Sequence, residues 1–124
     1  MSDKKEILII DDDSKNIFAL SAVLKAKNYQ CVSALSAKEG FEQISRNKNI
    51  GVVLMDMMMP EMDGYEAVKR MKSDALLQTI PVIAITAQAM TGDREKCLEA
   101  GADGYLSKPV DVAALTQLLN QLMK

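Results

Sequence analysis

Apolar positions along the chain alternate between two patterns. Short continuous runs end at polar turn residues: Glu6 to Ile10 before Asp11-Asp12-Asp13, Ile50 to Met55 before Asp56, and Pro81 to Ile85 before Thr86. Runs of this length, rich in β-branched residues, predict strands buried on both faces, as in a parallel sheet covered by helices. Between them the spacing changes to three and four. Ile17, Leu20 and Leu24 mark a first helix with Ser14 as its expected N-cap. Ser36 and Glu39 form a capping box for a second helix reaching about Asn47, with Phe41 and Ile44 as its buried stripe.

The remaining elements follow the same alternation. Gln30 to Ala34 predicts a short second strand, and Gly64 to Met71 a third helix built on Tyr65, Val68 and Met71. Asp74 to Thr79 reads as a loop. Thr91 is the expected cap of a fourth helix that Gly101 terminates. Gly104 to Ser107 predicts the last strand, and Asp111 caps a final helix with Leu115, Leu118, Leu119 and Leu122 on one face. Five strands alternating with five helices predict an α/β, doubly wound parallel sheet, for which the common five-stranded order is 2-1-3-4-5. That order brings Asp11 and Asp12 beside Asp56 in one crevice, with Thr86 and Lys108 closing its far side.

Composition narrows the chemistry. The 124 residues suit one domain, 1-124, and no second domain is expected within them. A net charge of -2 with no basic stripe gives no footprint for nucleic acid, and no run approaches membrane-spanning length. With no signal peptide, a cytoplasmic protein is expected. The chain contains no histidine, which excludes histidine-based triads and the common zinc sites. Cys31 and Cys97 stand apart and are expected as free thiols, and the methionines from Met55 to Met62 as packing and loop residues.

Three carboxylates converging at strand ends repel one another unless a cation joins them. All-oxygen donors favour a hard ion, magnesium, with manganese as its substitute. Lys108 and the Thr86 hydroxyl complete a clamp for a phosphoryl group, and Asp56, central and alone on its strand, is the nucleophile candidate. Asp13 reads equally as a helix-orienting carboxylate or a ligand.

These residues carry a resemblance to the receiver domains of two-component response regulators. It rests on Ile7 to Asp13, Leu54 to Gly64, Pro81 to Ala87 and Gly101 to Pro109, in that order and spacing. The resemblance implies a phosphorylation-dependent switch in which Asp56 accepts a phosphoryl group from a histidine of a sensor histidine kinase or histidine phosphotransfer protein. It implies magnesium ligation by Asp12, Asp56 and the Met58 carbonyl, with Asp11 acting through a metal-bound water. Thr86 would move toward the phosphoryl oxygens, Tyr105 turn inward and Lys108 pair with the group, the Lys108-Pro109 bond being cis. Met58 and Gln88 occupy the two positions that modulate loss of the phosphoryl group. The output would be altered contacts of the fourth helix, fifth strand and fifth helix with an unidentified downstream protein. Such a chain is not an enzyme beyond its own phosphoryl transfer and slow autodephosphorylation. It is expected as a stand-alone regulator, or alternatively as the receiver of a hybrid kinase. A magnesium-dependent phosphatase would want a carboxylate where Met58 stands, and a flavin carrier would want a Ser/Thr/Gly-rich loop where Asp11 to Asp13 stand. A degenerate scaffold would not need the complete acidic set.

Overall fold

A computed structural model describes residues 5–59, 64–75, 77–87 and 92–123, apart from the Asp93 side chain. Its elements run β1 (Glu6–Ile10), α1 (Ser14–Ala26), β2 (Gln30–Ala34), α2 (Ala37–Arg46), β3 (Ile50–Asp56), α3 (Gly64–Ser73), β4 (Val82–Thr86), α4 (Asp93–Ala100), β5 (Gly104–Ser107) and α5 (Val112–Leu122). The five strands pair in parallel in the order β2-β1-β3-β4-β5, the doubly wound arrangement expected from the alternation.

Because successive strand residues face opposite sides, the apolar runs feed two separate cores. Leu8, Ile10, Val53, Met55, Val82 and Ala84 pack with α2, α3 and α4 on one face. Ile7, Ile9, Val52, Leu54, Ile83 and Ile85 pack with Leu24 of α1 and with Leu115 and Leu119 of α5 on the other. Burial on both faces explains why β1, β3 and β4 lack polar alternation. Gly40 lets α2 approach closely, since a Cβ there would collide with the Ile10 side chain. A Cβ on Gly64 would lie 2.6 Å from the Met57 backbone, so α3 starts tight against the end of β3.

Several boundaries differ from the sequence expectation. The N-cap of α1 is Asp13 rather than Ser14, its Oδ1 accepting the Lys15 N–H at 2.9 Å. A carboxylate one residue earlier both accepts that bond and lies at the positive end of the helix dipole. β4 starts one residue after Pro81, whose carbonyl instead accepts the Val53 N–H at 2.9 Å. α3 continues past Met71 to Ser73. The first residue of α4 follows Gly92, which holds the capping position in the left-handed region with no side-chain cap; Thr91 lies outside the described residues. Ser36 caps α2 as expected, its Oγ accepting the Glu39 N–H at 3.1 Å, and Asp111 caps α5. In the Asp74 to Thr79 connection, Leu77 is buried in the core. Met55, Met57 and Met59 also lie in that core, whereas Met58 is 43% exposed. Cys31 and Cys97 are free thiols, half-buried and buried.

Candidate functional site

Sheet register assembles the site. Ile10 pairs with Met55, so the residues that follow them, Asp11 and Asp56, leave adjacent strands at the same level. Asp56 in turn lies opposite Ile85, and Thr86 opposite Ser107, the residue before Lys108. The backbone holds this row past the strand ends: Asp11 N–H donates to the Ala34 carbonyl at 3.1 Å, Met57 N–H to Ile85 at 2.8 Å and Lys108 N–H to Thr86 at 2.8 Å. The carboxylates that follow β1 and end β3 and the ammonium that follows β5 therefore meet at the carboxyl edge of the sheet, where such folds bind ligands, and Thr86 ends β4 at the same edge.

Asp11, Asp12 and Asp56 each offer a carboxylate oxygen, and these oxygens lie within 4.8 Å of one another. Asp11 and Asp56 are buried and Asp12 is exposed. The Lys108 ammonium lies 3.8 Å from Asp11 Oδ2 and 3.7 Å from Asp56 Oδ1, a cation shared between the two buried carboxylates. Two backbone donors steady them. Asp13 N–H donates to Asp11 Oδ1 at 2.9 Å, and Met58 N–H donates to Asp56 Oδ1 at 3.0 Å. Burial pushes the Asp11 carboxyl above its ordinary value, the Asp13 N–H opposes this, the Asp56 charge adds to it and Lys108 again opposes it. The positive charge present thus falls short of what the carboxylates need. An all-oxygen, net-negative cluster small enough to share one ion fits a hard divalent cation.

The structure brings Asp11, Asp12, Asp56 and Lys108 together. Thr86 is buried at the end of β4, and Tyr105 is half-buried on β5 against the α2–α4 core. The Lys108-Pro109 bond is cis. Gln88 lies outside the described residues, as do Pro60 to Asp63 of the turn after β3. Of the two readings left open for Asp13, the structure shows the helix-orienting one, its side chain capping α1. Two backbone contacts escaped the sequence reading. The Asp13 N–H also steadies Asp11, a turn contact of the kind short polar side chains make. Met58 reaches Asp56 through its backbone N–H, which its side-chain type could not signal.

The chain is thus a small α/β domain, a doubly wound parallel sheet with an acidic cluster and a lysine at its carboxyl edge. Residues 7–120 match the response regulator receiver domain, and the chain belongs to that family. It is 39% identical over 118 residues to the sensor histidine kinase RcsC of Salmonella typhi, covering 95% of this chain but only 12% of the kinase's length. It is 32% identical to the polar-differentiation response regulator DivK of Brucella ovis, covering 96% of both chains. The receiver domain of a Pseudomonas aeruginosa sensor histidine kinase, solved with magnesium coordinated in its active-site cleft, superposes with a TM-score of 0.85. The two are 32% identical, and the match covers 97% of this chain and 98% of that one. As a receiver domain of two-component systems, the chain is a signalling module rather than a classical enzyme. Among the described residues no helix is long and apolar enough to cross a membrane.

Proposed function

We propose that this chain is a phosphorylation-gated switch in which Asp56 is the phosphoryl acceptor. The observation that carries the reading is the Asp11–Asp12–Asp56 cluster with Lys108 set between its two buried members. A carboxylate oxygen of Asp56 attacks phosphorus on the phosphohistidine of a sensor kinase or phosphotransfer protein. The O–P bond forms as the N–P bond breaks, and the imidazole leaves with the nitrogen lone pair and takes up a proton. Lys108, already within 3.8 Å of both carboxylates, follows the added negative charge, and the Thr86 hydroxyl donates to it from β4.

Asp11, Asp12, Asp56 and the Met58 carbonyl are the groups that would hold magnesium, with manganese as a substitute. When bound, the ion offsets the carboxylate repulsion and polarises the phosphoryl oxygens. Tyr105 turning inward would carry the change to the surface formed by α4, β5 and α5, where a downstream protein reads it. Met58 and Gln88, neither a general base, imply slow autodephosphorylation. The expected compartment is the cytoplasm, and the expected unit is a single receiver domain over 1-124.

The test is intact mass after incubation with a small-molecule phosphodonor, with and without magnesium. One phosphoryl adduct that requires magnesium and is absent from Asp56→Asn is the expected result. No adduct, together with no magnesium-dependent binding of beryllofluoride, would overturn the reading.

A further inference from the structure

The acidic cluster at Asp11 and Asp56 also borders a larger space. Between α1 and the start of α5 lies a crevice of about 540 Å³. Ala19, Leu20 and Val23 of α1 form one wall, Val110 stands opposite, and Leu54 and Ile85 of the sheet form the floor. One end is closed by Asp11, Asp56 and Lys108. From Asn16 in the first turn of α1 to Val23 the lining follows α1 for two turns, about 10 Å at the rise of an α-helix. The volume falls in the range of small-molecule sites, about 300–1,000 Å³, and its make-up is theirs too: mostly apolar walls with a few convergent polar groups.

The polar end sets the chemistry of the occupant. Two carboxylates exposed by only 3% and 5% face a single lysine there, so that end is net negative. An anionic head would meet two buried carboxylates, and a neutral one would leave their charge uncompensated. An ammonium supplies what Lys108 alone does not. We infer that the crevice is a binding site for a small amphipathic cation, with an apolar body about two rings long and a primary ammonium placed against Asp11 and Asp56. Such an occupant takes the place that a divalent cation and a phosphodonor must approach, so it holds the acceptor silent. This consequence rests on the function proposed above; the binding does not.

The experiment uses naphthylmethylamine, naphthylmethanol and naphthoate as matched probes, followed by amide-resonance mapping and calorimetry on the full chain. The amine is expected to bind about tenfold or more tighter than either isostere, a difference that one desolvated charge contact supplies. Its shifts should centre on Ala19, Leu20, Val23 and Val110, and saturating magnesium should weaken it. Ala19→Phe, on a solvent-facing position of the α1 wall, should abolish amine binding while the magnesium response stays intact. Equal binding of the three probes, shifts centred elsewhere, or unchanged binding to Ala19→Phe would each overturn the proposal. The mapping on the unsubstituted protein decides the location even if the variant folds poorly. Amine binding in a protein that forms no phosphoryl adduct under any condition would leave the crevice assignment standing and overturn the phosphorylation reading.

Discussion

Replacing Asp11 by Asn is expected to stabilise the metal-free protein while weakening its response to magnesium. At an effective dielectric of about 20, the Asp56 charge, no farther than 4.8 Å from Asp11, costs at least about 3.5 kcal/mol, and Lys108 at 3.8 Å returns about 4 kcal/mol. Lys108 is 27% exposed and therefore partly screened, so the two nearly cancel. What remains is the burial of a carboxylate that is 3% exposed. That penalty amounts to several kcal/mol, of which the charge-assisted bond from the Asp13 N–H returns about 1.5–3 kcal/mol. Asn keeps the Oδ1 acceptor for that bond and turns an NH₂ toward Asp56. The net gain is about 1–2 kcal/mol, a rise in melting temperature of about 3–6 °C for a domain of this size.

Urea and thermal denaturation in a chelator measure this directly. In millimolar magnesium the order should reverse, because ligand binding to the folded state adds stability that the variant largely loses. The pH dependence provides an independent sign. A carboxyl whose pKa is higher in the folded than in the unfolded chain binds its proton more tightly when folded. Its stabilising contribution is therefore complete below the ordinary value of 3.8 and is lost as pH rises through the folded value. The metal-free protein should thus gain stability relative to Asp11→Asn as pH falls from neutrality toward 4. A metal-free variant less stable than the parent at neutral pH would refute the claim that burial, rather than the lysine contact, dominates at Asp11.

Three further outcomes follow from the described contacts. Lys108→Met leaves two buried carboxylates without their shared cation and should lower metal-free stability by about 3–5 kcal/mol, with magnesium restoring more than it does in the parent. Thermal shifts with and without chelator check this. Gly40→Val should cost about 1–3 kcal/mol by forcing α2 off Ile10, read as a lower urea midpoint with an unchanged slope. Asp13→Ala removes the α1 cap and should cost about 1 kcal/mol, whereas Ser14→Ala should be close to neutral. Comparing the two denaturation midpoints decides between the caps.

The parts of the molecule legible in the sequence were those where local pattern and global fold agree. Strands buried on both faces announce themselves as apolar runs, and in a parallel sheet their carboxyl ends converge, so Asp11, Asp12, Asp56, Thr86 and Lys108 could be placed on one edge from the strand order alone. Boundaries were less legible, because neighbouring residues compete for the same role. Asp13 and Ser14 are both good caps, and only the turn geometry decides. Leu77 sits in what reads as a polar connection, and its burial comes from tertiary packing that no local period records. The hydrogen bond from Met58 to Asp56 is made by backbone and is invisible to side-chain chemistry. The crevice beside α1 depends on how closely α1 and α5 approach on their shared face of the sheet, which their apolar stripes leave undetermined.

The register that aligns the strand ends also makes the site a late product of folding. Its charged groups come from residue 11 to residue 108, and each joins only when its own strand has docked at the right level. Such non-local pairings are formed slowly and against loop-closure entropy. A nascent chain leaving the ribosome carries its acidic residues early but lacks the compensating lysine until β5 has been synthesised and paired. Until then the carboxylates lack both their partner charge and a shared crevice. The full set of charges at this edge of the sheet is therefore assembled only after β1, β3, β4 and β5 have all docked in register.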